Sequence, residues 1–164
     1  MRKILLIITI ILSQSSYSQN ISFEEIVNLR SKSIGYIDDI LLEKEWELID
    51  SEYEDQAGYR QIVYGYNLNH FDLLNTEYLL VFEISNNIEN NKITFQTSDK
   101  KVYLEYLNNI KSKGKLFHSR IEDKNVVKFY RNNFANFKVI TDTEITDNGL
   151  KTKYIIIIFS LTSH

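Results

Sequence analysis

The sequence predicts an α+β fold: a tandem duplication of helix plus four-stranded antiparallel sheet, with the helices packed on one sheet face. Three observations lead there. The stretch Leu48-Ile49-Asp50-Ser51-Glu52-Tyr53-Glu54-Asp55 is echoed 68 positions later by Leu116-Phe117-His118-Ser119-Arg120-Ile121-Glu122-Asp123, and a repeated unit sets the architecture of a chain. Each copy follows an amphipathic helical pattern and precedes another strand-like run. Finally, Asn148-Gly149 lies between two alternating runs and reads as a type I′ hairpin turn, whose two central residues must both take positive φ. The expected boundaries are a leader over residues 1–18, a first repeat over 19–97 and a second over 98–164, the two halves sharing one compact domain.

The chain opens with Met1-Arg2-Lys3, an apolar run from Ile4 to Leu12, and a polar stretch ending Ser16-Tyr17-Ser18. That order of charged, apolar and small residues is the pattern of a secretory signal peptide, with cleavage expected after Ser18. The apolar run has nine residues, well short of the roughly 20 that cross a bilayer. No stable membrane anchor is therefore expected after leader removal, and no cysteine is present to carry a lipid. The expected localisation is periplasmic or secreted.

Without Arg2 and Lys3 the mature chain carries 17 basic against 22 acidic residues, a formal charge of −5. Binding a nucleic-acid backbone needs clustered lysine and arginine, so no nucleic-acid partner is expected. Export permits disulfides, yet the cysteine count is zero, and stability must come from core burial. The 146 residues that remain are enough, since a chain of this length buries roughly 68–70% of its unfolded surface.

Ser22 followed by Glu25 forms a capping box, Ile21 and Ile26 can staple, and a short helix to about Arg30 follows. Ile34, Ile37, Ile40 and Leu41 recur at helical spacing, opposite Asp38, Asp39, Glu43 and Lys44. Trp46, at the helix-to-strand junction, reads as a core plug. The first copy of the repeat then alternates, with Ile49, Ser51 and Tyr53 inward and Leu48, Asp50 and Glu52 outward. A turn at Glu54–Gly58 leads to a strand over Tyr59–Asn67, and Asn67–Asn75 reads as a loop. Glu77–Ser85 is nearly continuously apolar, which suits a strand covered on both faces. Ile93 and Phe95 alternate in the next strand. Ser98 or Asp99 caps a third helix whose apolar stripe is Tyr103, Tyr106, Leu107 and Ile110. Gly114 is expected to close it as a left-handed cap. The second copy and Asn125–Arg131 form a hairpin. Centring the last turn on Asn148-Gly149 pairs Asp147 with Leu150 and Val139 with Ile158, so that Phe137, Val139, Tyr154, Ile156 and Ile158 meet the helices. The opposite face mixes Ile140, Ile155, Ile157 and Phe159 with Lys138, Asp142, Glu144 and Lys153, and is too apolar for a plain solvent face.

Chemistry-bearing motifs are scarce. There is no phosphate loop, no Gly-x-Ser-x-Gly and no His-x-x-x-His, so no catalytic residue, no metal and no cofactor is expected. His118 lies on the outward face of its strand and reads as a solvated histidine, while His70 and His164 support no site. Glu54-Asp55 and Glu122-Asp123 recur at equivalent positions; two carboxyls about 5–10 Å apart could hydrolyse a glycoside, but both pairs open polar turns where Asp favours local backbone bonding. Tyrosine is the one compositional hint, since aromatic rings with a polar tip are favoured at interfaces. Tyr64 and Tyr66 flank Gly65, which has no side chain to cover them.

The leader ending Ser18-Gln19-Asn20 and the helix-then-strand repeats make the chain similar to a family of small, uncharacterised secreted proteins of Gram-negative bacteria, which brings no activity with it. In element order alone it is similar to the tandem-repeat β-lactamase inhibitory protein fold, although it lacks that inhibitor's disulfides. The function expected from the residues is an exported, non-enzymatic protein-binding module of inhibitor, immunity or envelope-interaction type. Its protein partner would sit on the sheet face opposite the helices, around Tyr64, Tyr66, Ile155, Ile157 and Phe159. The alternative is a carboxylate-dependent hydrolase. The outward positions of the two copies differ, Asp50 and Glu52 against His118 and Arg120, so the halves need not share a site.

Overall fold

The structure, a computed structural model, describes residues 21–54, 58–68, 76–146 and 149–161. The expected leader, His70, His164, Asn148 and most of the expected Asn67–Asn75 loop lie outside the described residues.

Among the described residues three α-helices form where local chemistry asks for them. In α1 (Phe23–Leu29) the capping box is complete: Ser22 Oγ accepts from the Glu25 amide at 3.2 Å, and the Ser22 amide donates to Glu25 Oε2 at 2.8 Å. Each satisfies a donor that the first helical turn leaves free. Ser22→Ala is expected to lower stability by about 1 kcal/mol in a urea melt. Ser33 caps α2 (Ile34–Glu43), and Glu45 takes φ 62° just past its end. That left-handed step lets the Trp46 amide donate back to the Leu41 carbonyl at 2.9 Å and turns the indole into the core, where it is 1% exposed. Asp99 caps α3 (Lys100–Lys113): Oδ1 accepts from the amides of Lys101 and Val102, while Oδ2 accepts from the Tyr78 hydroxyl at 3.0 Å.

Gly114 is not a left-handed cap. Its φ is −131°, ordinary extended backbone, and its reason is close approach: an added Cβ would lie 2.9 Å from the Ile110 carbonyl oxygen and 3.1 Å from that of Arg131. Backbone atoms cannot swing aside as a side chain can. Gly114→Ala should therefore cost about 1–3 kcal/mol, read as a lowered urea midpoint.

The strands are β1 (Glu47–Glu54), β2 (Tyr59–Tyr66), β3 (Tyr78–Ser85), β4 (Lys92–Thr97), β5 (Lys115–Glu122), β6 (Asn125–Arg131), β7 (Asn136–Thr146) and β8 (Gly149–Phe159). All neighbours pair antiparallel, in the order β1-β2-β3-β4-β8-β7-β6-β5. The tandem duplication of helix plus four-stranded sheet is thereby corrected. Strands β4 and β8 are bonded from Ile93↔Ile158 to Thr97↔Tyr154, giving a single eight-stranded sheet with three helices on one face. The physical reason is edge pairing: two separate sheets would leave bare backbone along β4 and β8, whose side chains Ile93, Phe95, Ile156 and Ile158 are all essentially buried. The broader α+β class holds.

The repeated stretch also differs from expectation. Both copies carry a bulge at the same place, between Leu48 and Asp50 and between Leu116 and His118. Yet they are the two outermost strands, and they are not half-buried: Tyr53, expected inward, is 54% exposed, and Phe117 and Ile121 of the second copy are 52% and 76% exposed. The bulges locally break the regularity of edges that would otherwise template another chain.

The hairpin β7–β8 forms, but its register is shifted by two residues. Val139 pairs with Ile156 and Thr146 with Gly149, in place of Val139 with Ile158 and Asp147 with Leu150. A shift of two keeps every side chain on its face, and β8 is held from its other side by β4, so sheet pairing outweighs one turn's preference. The β5–β6 link behaves as its acids suggest: Asp123 and Lys124 both have positive φ between paired Glu122 and Asn125, the geometry of a type I′ turn.

One cluster joins Phe23, Ile26 and Leu29 of α1, Ile37 and Leu41 of α2, and Tyr106 and Ile110 of α3 to the buried side of the sheet. Aromatic rings thread through it, from Trp46 to Tyr66, Tyr78, Phe95, Tyr106, Phe23 and Phe137, with successive centroids 4.9–6.4 Å apart. Contacts of this kind stabilise a core beyond the area that they bury.

Candidate functional site: the uncovered sheet face

Directly paired residues share a face, so the register sorts every strand position to the helix side or the uncovered side. On the uncovered side one row runs from Asp50 through Val63, Val81 and Thr94 to Ile157, then through Lys138 and Phe129 to His118. The next runs from Glu47 through Gly65, Leu79 and Gln96 to Ile155, then through Ile140 and Val127 to Arg120. No described element packs on these rows.

The expected binding set divides between the two faces. Ile155, Ile157 and Phe159 lie on the uncovered side and are partly exposed. Tyr64 and Tyr66 do not join them. The register carries Tyr64 through Leu80 and Phe95 to Ile156, which places both tyrosines toward the helices. Tyr64 is 1% exposed and donates to Asp38 Oδ1 of α2 at 3.0 Å. Burial, then this hydrogen bond and the Asp38 charge, push its hydroxyl well above the usual phenol range. The Tyr66 ring sits 5.7 Å from Trp46 and 5.9 Å from Tyr78. The tyrosines tie sheet to helices: their rings fill core, the Tyr64 hydroxyl reaches Asp38 within α2 and the Tyr78 hydroxyl reaches Asp99, the cap of α3. Alternation shows which residues share a face but not which face is covered. On β2 and β3 both faces are apolar enough to mislead. β3, expected to be covered on both sides, leaves Leu79 and Val81 partly exposed.

Gly65 is the contact point of the acidic side. A Cβ there would fall 2.3 Å from Leu68 Cδ2 and 2.8 Å from Ile49 Cδ1, so these two side chains close over the glycine on the uncovered face. Beyond them β1 presents Glu47, Asp50, Glu52 and Glu54 on this side, all exposed. None of the four has an ion-pair partner among the described residues.

The far end has the opposite sign. Phe129 is ringed by Arg120 at 5.0 Å, Lys138 at 5.9 Å and the His118 ring at 5.6 Å, while Arg131 lies 4.8 Å over Phe117. Cations over aromatic faces are held in place before any partner arrives. Glu122 accepts from Lys138 at 2.7 Å and from Arg120. These two hydrogen bonds, Lys138 first, hold its carboxyl below the ordinary carboxylate range. Val127, between Ile140 and Arg120 in the register, is 1% exposed although no helix covers it. Sequence reading missed Phe129, Arg131 and Lys138 as members of one cluster. The available signal was the contrast of Asp50 and Glu52 with His118 and Arg120, which needed the sheet order to become two ends of a single surface.

Of the repeated acids, Asp55 lies outside the described residues, and Glu54 and Glu122 are not brought together. Glu54 and Glu122 close strands at opposite edges, seven strand spacings apart, or about 33 Å along the sheet, far beyond the separation that a carboxylate-pair hydrolase uses. Among the described residues no cluster of three or more His, Asp or Glu could hold a metal, and no helix is long and apolar enough to cross a membrane. A recess of about 400 Å³ beside α1, lined by Glu24, Arg30, Lys113, Asn132 and Phe134 among others, has its charged groups engaged. Glu24 pairs with Lys113, and Arg30 Nη1 donates to the Glu89 carbonyl at 3.3 Å. Compared with protein-family models, curated proteins and solved structures, the chain matches none.

Proposed function

We propose that the chain is an exported, non-enzymatic module that binds a protein on the uncovered sheet face. The observation that carries this reading is the composition of that face: a middle of Leu79, Val81, Ile155, Ile157 and Phe159, partly exposed, between a carboxylate end and a cation-aromatic end. An apolar centre with a charged rim is the build of a protein interface; here the apolar side chains of β3 and β8 flank Thr94 and Gln96 of β4 on a face that no described helix covers. The leader pattern at Met1–Ser18 supports export. The binding residues are Ile155, Ile157 and Phe159 of the original set; Tyr64 and Tyr66 support the face from beneath. The test is affinity capture from envelope extract with mass spectrometry, using the wild-type chain beside an Ile157→Lys/Phe159→Lys variant. A specific partner retained by the first and lost by the second supports the reading. Equal capture by both removes it.

A further inference from the structure

We infer that the uncovered face receives a second copy of this chain, in a two-fold dimer whose axis runs along the strands at the β4–β8 junction. The inference rests on the protein-binding reading and names its partner.

The charges of the face choose this arrangement. Strands β1 and β5 are the two edges of the sheet. On the uncovered side the first edge carries Glu47, Asp50, Glu52 and Glu54, and the other end carries Arg120, Arg131 and Lys138 around Phe117 and Phe129, with Glu122 paired to Lys138 and Arg120, so that its cations still outnumber this carboxylate. Two sheets can stack face to face about a two-fold axis that lies either along or across the strands. An axis across the strands sets β1 on β1 and β5 on β5, opposing like charges at both ends. An axis along the strands sets the acidic edge of each copy over the basic end of its partner, twice, because a two-fold contact is isologous. The face is complementary to itself in one orientation only.

Its size is sufficient. Eight strands, with seven spacings of about 4.8 Å and some 20–25 Å of strand length, give about 670–840 Å² per copy, the area that one partner contributes to a stable interface. The middle of the face, where the axis would pass, sets Thr94 and Gln96 of β4 beside Ile155, Ile157 and Phe159 of β8, side chains that would interdigitate between sheets stacked about 10 Å apart.

The test is sedimentation velocity on the chain recovered after export from a bacterial host, with circular dichroism to check folding. The wild type is expected to be dimeric at about 100 μM. Asp50→Lys/Glu52→Lys and Arg120→Glu/Lys138→Glu should each weaken the dimer about tenfold or more, because each opposes like charges at both ends. An equal mixture of the two variants should restore it, since both contacts again join opposite signs. If a reversal variant fails to fold, Glu52→Gln and Arg120→Gln take its place, each expected to weaken the dimer about threefold. A wild type that stays monomeric, a dimer indifferent to the substitutions, or a mixture that fails to re-form the dimer would each overturn the inference. A monomeric chain that captures a different protein through Ile157 and Phe159 overturns the second-copy partner alone and leaves the protein-binding reading standing.

Discussion

Phe95→Ala is expected to remove about 3–5 kcal/mol of folding stability, a large part of the 5–15 kcal/mol that a domain typically has. Phe95 is 1% exposed on β4, opposite Ile156 where the two halves of the sheet join. Its ring lies 4.9 Å from Tyr106 of α3 and 6.4 Å from Tyr78. Truncation opens a void between the central strand and a helix, and it interrupts the aromatic run at its midpoint. Neighbours on a paired strand cannot collapse into such a gap without disturbing the ladder, so the cavity should persist. Urea melts should show a lowered midpoint with an unchanged slope. A loss under about 1 kcal/mol would mean that the core around β4 is looser than its burial indicates.

One rung away the same change of scale should have the opposite outcome. Ile157 pairs with Thr94, and its side chain and that of Phe159 are partly exposed on the uncovered side. Ile157→Lys/Phe159→Lys should lower stability by only about 1–2 kcal/mol, since a lysine can lay its stem on the sheet and keep its ammonium in water. Capture of the bound protein should fall about thirtyfold or more, because two apolar anchors are lost from the interface centre and two charges would be desolvated there. Stability and binding thus separate by face: Phe95 governs the first, Ile157 and Phe159 the second. A variant that keeps both fold and capture would remove the open face as the binding surface.

Much of the local structure was legible in the sequence because it is decided locally. Ser22 with Glu25, and Asp99 ahead of its lysines, place helix starts through hydrogen bonds made within three residues. The buried stripe Tyr103, Tyr106, Leu107 and Ile110 follows from helical period alone, and so does each alternating strand. The candidate site was legible by half. Ile155, Ile157 and Phe159 were separable from Ile156 and Ile158 once the hairpin was recognised, and the two-residue register error left that separation intact. Tyr64 and Tyr66 were placed on the wrong face because nothing within β2 distinguishes its two apolar sides; only the pairing through β3 and β4 to β8 does.

By itself the sequence determined the element order, the N-caps of α1 and α3, the alternation of most strands and the opposite charges of Asp50 and Glu52 against His118 and Arg120. Only the tertiary structure decided that β4 bonds to β8, that the repeated strands are the two exposed edges, and that their charges end up on a single face. The reason lies in the range of the forces involved. Caps and alternation are settled by contacts a few residues apart, whereas the union of two half-sheets depends on backbone groups about 60 residues apart finding each other, and no local pattern records which edge they will choose.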